Sequence, residues 1–369
     1  MDELTRAGRN VVLLLPSDCE RHTGGYVWES RVAQELRELG WVVDERELPP
    51  GFPHPSHAAR SGSVRVLAGF PDGALILSES YATSVIPELL AAEAHRLRLV
   101  TVVHHPLADE TGLTSQERAR LFASERAALR CLRHVVVPSR ETGSRLERRY
   151  GVPASRLTLA YPGTDPAPLA RGSAGQEATL LAVGAVMPRK DQPALIEALG
   201  TLRDLRWRLR VVGSLVRFPD TVREVRARAA ALDIADRVEL TGEVDAPTLA
   251  RWRDGSDLQV SASRHEGYGM ALAEGIACGL PAVAVAGGAV AEWLTADAAL
   301  LVPPGDPAAL ALALRRAIAD RALRQRLRAG AIDLRRTLPT WRSAALATER
   351  ALLRALATPS PMTQALAGA

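Results

Sequence analysis

The sequence lacks the features that mark several special classes of protein. Its three cysteines, Cys19, Cys131 and Cys278, lie far apart and have neither the pairing of a disulfide scaffold nor the spacing of a metal site. No apolar run approaches the roughly 20 residues that a membrane-spanning helix needs. The acidic start of the chain also lacks the basic-then-apolar order of a signal peptide. We therefore expect a cytoplasmic protein without disulfides.

Aromatic residues and lysines are also scarce. Aromatic residues make up 4% of the 369 residues, too few for the stacking platforms of single-strand nucleic-acid binders. The mild net charge of +4 therefore does not indicate a nucleic-acid partner. The positive charge is almost entirely arginine, and Lys190 is the only lysine. No Asp-x-Asp pair of the kind that holds a catalytic metal occurs, so we expect neither a metal nor a cofactor.

The chain does contain two successive series of short apolar runs, each followed by an amphipathic segment. This order is typical of parallel sheets flanked by helices. It predicts strands at residues 11–15, 41–44, 74–77, 99–103 and 134–138, then at 179–183, 207–212, 238–240, 258–261, 282–286 and 300–302. It predicts helices at residues 27–39, 85–96, 115–132, 193–202, 220–232, 246–253, 269–278, 307–329 and 341–356.

These elements predict an α/β protein with two Rossmann-like domains that face an interdomain cleft. We assign residues 1–168 to the first domain and residues 169–338 to the second. Residues 339–357 are predicted to form a helix that packs back on the N-terminal domain, and residues 358–369 a disordered tail. Ligands of open α/β sheets bind in the loops at the carboxyl ends of the strands, so site residues are expected there.

The first group of candidate site residues follows the strand at 179–183. Gly184 ends that strand, and Arg189 and Lys190 stand just before a helix. A glycine lets the backbone approach a ligand closely, and helix N-termini attract anions. The forked guanidinium and the compact ammonium together suit a diphosphate. A solvated basic turn is the alternative, but the position of the only lysine at a loop-to-helix junction favours the diphosphate site.

The second group follows the strand at 258–261 and runs into a helix. Glu266 lies in the loop and Glu274 stands eight residues later, about two turns into the predicted helix. Gly267 and Gly269 expose backbone N–H groups at the helix start, which form a second cradle for an anion. Each carboxylate accepts two hydrogen bonds well, so one glutamate suits vicinal sugar hydroxyls and the other a ribose.

Two adjacent histidines form the third candidate group. His104 and His105 end the strand at 99–103 and precede a proline. An isolated histidine is more often structural than catalytic, but two at a strand end beside the expected cleft favour a functional role. The sequence does not decide between them.

At these residues the chain resembles a known family. The segment from Glu266 to Glu274, with Gly-Leu-Pro at 279–281, resembles the E-x7-E signature of retaining glycosyltransferases of the GT-B fold, family 4. The arginine-lysine pair after a glycine-ended strand resembles the donor-diphosphate site of that family. The Gly-Gly loop at 24–25, the histidines and the Pro-Gly pair at 162–163 also fit. The resemblance extends to about residue 356 and is more specific in the C-terminal half.

The resemblance implies a role for each candidate residue, with acceptor binding in the N-terminal domain and donor binding in the C-terminal one. Arg189 and Lys190 would bind the donor phosphates, and Glu266 would hold donor-sugar hydroxyls. Glu274 would bind the ribose. The histidine, for which His105 is the better match, would contact the donor sugar. Backbone segments would complete the donor site: Gly24 and Gly25 over the phosphates, Gly242 and Val244 against the base, and Gly267, Tyr268, Gly269 and Met270 beside the sugar.

The implied reaction is transfer of a hexose-type sugar from a nucleotide-diphosphate sugar, with retention of configuration and without a metal. Retention fits a front-face substitution in which the leaving phosphate deprotonates the acceptor. A nucleophilic Glu266 is a less favoured alternative. Two other functions remain open: a sugar-nucleotide epimerase of the same fold, and a non-catalytic sugar-nucleotide binding protein.

The sequence does not identify the acceptor. A small molecule, a glycan and a lipid all remain possible classes. Arginines recur along residues 118–133 among apolar residues, and a basic amphipathic helix of this kind suits contact with an anionic membrane surface. An ordinary surface helix packed on its sheet is the favoured interpretation of the same segment.

Overall fold

Each half of the chain builds a six-stranded parallel sheet, so the predicted α/β class is confirmed. The computed structural model describes residues 9–19, 23–175 and 177–358, so nearly all of the predicted tail lies outside the described residues. The chain divides into two compact units. The first unit extends to Gly163 and resumes at Pro339, and the second comprises Thr164–Leu338.

The sheet of the first unit has the strand order β2-β1-β3-β4-β5-β6, and all neighbours are parallel. Its central strands carry mainly branched apolar residues that are buried on both faces, as expected for a sheet covered by helices on both sides. The order reverses between β1 and β3, because β2 lies on the other side of β1. Its strands are β1 Asn10–Pro16, β2 Val42–Leu48, β3 Leu75–Glu79, β4 Arg98–Val102, β5 His134–Val137 and β6 Leu157–Leu159.

Eight helices flank this sheet among the described residues of the first unit. The Thr23 hydroxyl caps the first of them by accepting a hydrogen bond from the Tyr26 N–H. The segment His57–Ala68 is a helix that the sequence analysis did not predict. The helices are α1 Gly24–Glu38, α2 His57–Ala68, α3 Ser80–Thr83, α4 Pro87–Glu93, α5 Ser115–Cys131, α6 Arg140–Arg145, the π-helical turn Leu146–Tyr150 and, after the second unit, α14 Trp341–Ala357.

The helix α14 completes the first unit. Its first residue, Trp341, packs closely on Gly163. A Cβ on Gly163 would lie 2.3 Å from the backbone nitrogen of Trp341. Further along the helix, the Glu349 carboxylate accepts a hydrogen bond from the Trp41 indole at 3.0 Å. Arg9 also pairs with Glu349 at 3.1 Å. These contacts fix the helix to the unit that contains the start of the chain.

The sheet of the second unit has the order β12-β11-β10-β7-β8-β9, again fully parallel. This is a doubly wound arrangement, with the reversal of strand order between β7 and β10. Its strands are β7 Ala178–Val183, β8 Trp207–Val212, β9 Val238–Gly242, β10 Leu258–Ser261, β11 Ala282–Val285 and β12 Ala299–Val302.

The helices of the second unit differ from the prediction mainly near its end. The single helix predicted at 307–329 is two helices, because Asp320 leaves the helical conformation and its side chain caps the next helix at Leu323. The helices are α7 Gln192–Gly200, α8 Pro219–Ala231, α9 Ala246–Asp254, α10 Met270–Ala277, α11 Val290–Trp293, α12 Pro307–Ala319 and α13 Arg321–Leu334.

The predicted basic helix, α5, packs its apolar residues into the core of the first unit. Leu121 and Leu129 are buried in the core with Ala128. Arg118 donates hydrogen bonds to the carbonyls of Ala108 and Glu110. Arg120, Arg126 and Arg130 of the same helix are exposed, while its large apolar side chains lie in the core of the unit. No helix among the described residues is long and apolar enough to span a bilayer.

Candidate functional site

The reversal of strand order in the second unit brings three of the predicted site residues, Lys190, Glu266 and Gly269, to one cavity. The carboxyl ends of β7 and β10 meet there, and a small cavity at this edge is lined by Val183, Lys190, Ser261, Glu266 and Gly269, among others. Crevices at such points are the usual ligand sites of open α/β sheets. The prediction that site residues lie at strand ends therefore agrees with the geometry of this unit.

Two glycines make room at this edge. Gly184 follows β7 with φ +144°, and Gly213 follows β8 with φ +146°. A Cβ on Gly213 would lie 2.4 Å from the Gly184 carbonyl group, so the two backbones approach as only glycine permits. A Cβ on Gly184 would lie 3.2 Å from Lys190 Cε. The lysine stem thus lies directly over the first glycine.

Arg189 and Lys190 lie in a single 3-10 turn, Pro188–Lys190, ahead of α7. Asp191 follows in the left-handed conformation with φ 49° and is the N-cap residue of α7. The Asp191 carboxylate accepts a hydrogen bond from Arg264 Nε at 2.7 Å. Because Arg264 also donates its backbone N–H to the Arg189 carbonyl at 2.9 Å, the turn is tied to the loop after β10.

Both cations converge on Glu266. Lys190 Nζ donates to Glu266 Oε1 at 2.6 Å, and Arg189 Nη1 lies 3.7 Å from Glu266 Oε2. Arg189 Nη1 also donates to the His265 carbonyl at 2.9 Å. The sequence analysis assigned the cations and the glutamate to separate parts of a donor, and the structure places them in direct contact.

The charge of Glu266 is firmly negative in this setting. Burial favours the neutral acid, but the charges of Lys190 and Arg189 and the hydrogen bond from Lys190 outweigh it and bring the pKa of Glu266 to about 2. At neutral pH the cluster is therefore one carboxylate flanked by two cations. It carries a net positive charge that suits an anionic ligand.

A second pair of glycines holds the backbone of Glu266, and the sequence analysis missed it. A Cβ on Gly288 would lie 2.2 Å from the Glu266 carbonyl oxygen, and a Cβ on Gly287 would lie 2.3 Å from the Arg264 carbonyl oxygen. Glu266 donates its N–H to Gly287 at 3.2 Å and accepts one from Ala289 at 2.9 Å. The signal in the sequence was the Gly-Gly pair directly after the run at 282–286.

The helix α10 begins one residue after Gly269, whose φ is +95°. Glu274 is therefore one turn into the helix rather than two. Its carboxylate pairs with Arg253 from α9, a partner that the sequence analysis did not identify. Tyr268 is buried and stacks on Trp293 at 5.5 Å. Its side chain thus belongs to the core, so only its backbone can face a ligand.

The predicted base-binding segment follows β9. Gly242 has φ +76°, and its carbonyl accepts the N–H of Gly213 at 3.0 Å. Val244 lies two residues later and is half-buried. Gly242 is therefore bonded to the same glycine that approaches Gly184, at the carboxyl edge of the second sheet.

In the first unit, Gly24 and Gly25 open α1 and lie next to a cluster of titratable side chains. A Cβ on Gly25 would lie 2.9 Å from Glu79 Oε1 and 3.3 Å from His104 Cδ2. His104 Nε2 is 2.7 Å from Glu29 Oε1, and its ring meets the edge of Trp28 at 5.5 Å. The ring of His104 thus lies against Gly25, and the preference for His105 as the donor contact stays a prediction.

Burial shifts the titration of all three groups in this cluster. It raises the pKa of Glu29 well above its usual value. Burial, reinforced by the nearby Glu29 carboxylate, raises the pKa of Glu79 to about 8. Burial lowers the pKa of His104, an effect that Glu79 opposes. Sequence reasoning missed both glutamates, because neither belongs to a recognisable motif.

Family comparisons cover both halves of the chain. Residues 1–168 match the family described as Glycosyltransferase Family 4, and residues 169–333 match the family described as Glycosyl transferases group 1. The boundary between these matches falls five residues after the start of the second unit at Thr164.

Curated relatives carry the name D-inositol 3-phosphate glycosyltransferase. The protein from Jonesia denitrificans is 28% identical over 240 residues, which span 60% of this chain and 56% of the relative. The protein from Xylanimonas cellulosilytica is 33% identical over 214 residues, which span 53% of this chain and 51% of the relative. The chain therefore spans little more than half the length of these relatives.

Solved structures share the architecture at low sequence identity. Sucrose-phosphate synthase from Thermosynechococcus elongatus has a TM-score of 0.78 at 21% identity and covers 95% of this chain and 100% of its own. Anabaena Alr3699/HepE in complex with UDP-glucose has a TM-score of 0.72 at 17% identity and covers 92% of this chain and 98% of its own. The predicted GT-B fold is confirmed, and the family matches support a GT-B glycosyltransferase of the family 4 type.

Proposed function

We propose that this chain transfers a hexose-type sugar from a nucleotide-diphosphate sugar to an acceptor hydroxyl, with retention of configuration and without a metal at the donor phosphates. The observation that carries the proposal is the convergence of Lys190 and Arg189 on Glu266 at the reversal point of the second sheet. Family matches over both halves of the chain support sugar transfer.

The chemistry follows from the charges of this cluster. When the bond between the anomeric carbon and the phosphate oxygen breaks, negative charge develops on the departing diphosphate. Arg189 and Lys190 neutralise that charge, and the N–H groups at the start of α10 stabilise it further. Glu266 keeps both cations in place before the donor binds and is itself ionised, so it accepts hydrogen bonds from sugar hydroxyls.

The proton balance needs no additional base. In a front-face substitution the acceptor oxygen forms its bond to the anomeric carbon on the side that the diphosphate leaves. The acceptor proton passes to the leaving phosphate oxygen, which becomes more basic as its bond breaks. The anomeric configuration is thereby retained, and the products are the glycoside and the nucleoside diphosphate.

Binding of the donor is tested by thermal shift against UDP-, GDP-, ADP- and TDP-sugars in the presence of EDTA. UDP-glucose is the first choice, because a similar fold was solved with it. Stabilisation by one nucleotide, lost in Lys190→Ala and Glu274→Ala, supports the proposed donor site. Absence of a shift with every nucleotide contradicts it.

Transfer itself is tested with a panel of acceptors that starts with an inositol phosphate, because the curated relatives carry that name. Release of nucleoside diphosphate that depends on the acceptor, with an NMR spectrum showing the donor's anomeric configuration in the product, supports a retaining transferase. Interconversion of free sugar nucleotides without an acceptor indicates an epimerase instead. Donor binding without any turnover indicates the non-catalytic alternative.

A further inference from the structure

Three ligating side chains meet at the carboxyl edge of the first sheet. Glu29 lies on α1, Glu79 is the last residue of β3, and His104 follows β4 by two residues. One nitrogen or oxygen atom from each lies within 4.8 Å of the other two. This edge includes the reversal of strand order between β1 and β3, where ligands of doubly wound sheets bind.

Among the described residues, the carboxyl groups of this cluster lack an arginine or lysine partner. Glu29 is 1% exposed, and its Oε2 is buried without a hydrogen-bond partner among the described residues. Within residues 9–19, 23–175 and 177–358, neither Glu29 nor Glu79 forms an ion pair with an arginine or a lysine. A buried carboxylate stays ionised only if a cation or a coordinated metal stabilises it, and a divalent ion would supply that charge to both glutamates and a partner to Glu29 Oε2.

From this geometry we propose that Glu29, Glu79 and His104 bind one divalent transition-metal ion in the first unit. An imidazole with two carboxylates suits Zn²⁺, Mn²⁺, Fe²⁺ or Co²⁺. Mg²⁺ and Ca²⁺ prefer ligand sets made of oxygen alone, so they fit this site less well. Three protein ligands leave the remaining coordination positions to water or to a substrate oxygen.

The surroundings of the cluster support access and rigidity. Glu79 and His104 are partly exposed, so an ion can enter from solvent. Gly25 borders both, and a Cβ there would lie 2.9 Å from Glu79 Oε1. Because residue 25 is a glycine, the Glu79 carboxylate can occupy its position without a steric clash. Trp28 packs its ring against the His104 ring and restricts the orientation of the imidazole.

This site goes beyond the proposed transferase function. In the proposed reaction, the donor phosphates are neutralised by Arg189 and Lys190 of the second unit, and no step depends on the ion. Donor binding in EDTA and metal binding by chelator-free protein are separate measurements. Either proposal can therefore fail while the other stands.

The decisive experiment is isothermal titration of Zn²⁺ and Mn²⁺ into tag-free protein that has been stripped with EDTA and then dialysed against chelator-free buffer. We expect one equivalent to bind to the wild type. We expect at least a 100-fold loss of affinity in Glu29→Gln, Glu79→Gln and His104→Ala. Two exposed residues of the first unit provide matched controls, because His57→Ala and Glu88→Gln should bind like the wild type.

A second variant separates ligation from folding. Gly25→Ala retains all three ligands but forces Glu79 to move, so it should weaken metal binding while the circular dichroism spectrum stays that of the wild type. Co²⁺ provides a spectroscopic check, because its visible bands should appear on binding to the wild type and disappear in His104→Ala. Absence of saturable binding by the wild type overturns the proposal. So does unchanged binding in Glu29→Gln and Glu79→Gln.

Discussion

Lys190 Nζ donates a hydrogen bond to Glu266 Oε1 at 2.6 Å, so the only lysine of the chain pairs with the first glutamate of the E-x7-E segment. Only 10% of the Glu266 side chain and 18% of the Lys190 side chain are exposed. An ion pair that excludes water to this degree keeps its strength in salt better than a surface pair. Glu266 thus holds the Lys190 ammonium group in a fixed position, where a more highly charged anion such as a diphosphate can bind it.

Removal of either cation should slow sugar transfer strongly. We expect Lys190→Ala and Arg189→Ala each to lower kcat by about 100- to 1,000-fold, because each removes a positive charge that stabilises the leaving diphosphate. Steady-state kinetics with a saturating donor measures the effect. Arg223→Ala is the control, since Arg223 is an exposed arginine paired with Asp220 on α8. Wild-type kcat in both cation variants would contradict their proposed role.

The pairing of Arg253 with Glu274 leads to a prediction about donor affinity. Glu274→Gln should raise the donor KM by about 10- to 100-fold, because a hydrogen bond to a charged group is worth roughly 1.5–3 kcal/mol. Arg253→Ala should raise the donor KM by a smaller factor, since Glu274 keeps its charge but loses the partner that orients it. The value of kcat should change little in both. A large fall in kcat at unchanged KM would argue against ribose binding by Glu274.

Substitution of Gly288 should damage the site through the backbone of Glu266. Gly288→Ala places a Cβ 2.2 Å from the Glu266 carbonyl oxygen at a φ of +67°. Gly305→Ala is the matched control, because Gly305 has a φ of +78° with nothing within 4 Å of its Cβ position. Both variants bear the left-handed backbone cost of about 1–2 kcal/mol.

Urea unfolding and donor binding distinguish the two alanine variants. Gly288→Ala should lose more stability than Gly305→Ala and should also lose donor affinity. Gly305→Ala should bind the donor like the wild type. Equal effects of the two substitutions on both measurements would show that the contact with Glu266 is unimportant.

Glu125 should make stability depend on pH. It accepts N–H groups from Leu107 at 2.6 Å and Ala108 at 2.9 Å and the Tyr150 hydroxyl at 3.1 Å. Burial raises the pKa of Glu125 to about 7, and those hydrogen bonds oppose the shift. Between pH 4.5 and 7 the folded state therefore binds more protons than the unfolded state. Stability contributed by this group is full below pH 4.5 and is lost as the pH rises through 7.

The free energy of unfolding at several pH values tests this prediction. Glu125→Gln should flatten the fall in stability between pH 4.5 and 7, by roughly 3 kcal/mol at most. Glu88→Gln, on the exposed surface of the same unit, should keep the wild-type slope. The same slope in Glu125→Gln as in the wild type would assign the pH dependence to other buried carboxyl groups.

The sequence alone predicted the α/β class and the approximate place of most strands, because parallel strands buried on both faces are continuous apolar runs between amphipathic segments. It also placed Gly184, Lys190 and Glu266 at strand ends, since each follows such a run. Irregular breaks were harder to see. Asp320 divides α12 from α13 although the apolar periodicity continues across it, and α2 has too weak an apolar period to stand out.

Contacts between residues distant in sequence were decided by tertiary structure. The pairing of Arg253 with Glu274 and the packing of Gly288 on Glu266 depend on which strands are neighbours, and local patterns do not encode strand order. The cluster of Glu29, Glu79 and His104 forms because β3 pairs with both β1 and β4. Hydrophobic periodicity thus located most strands and helices of this protein, whereas the packing of its strand ends decided which charged side chains share a site.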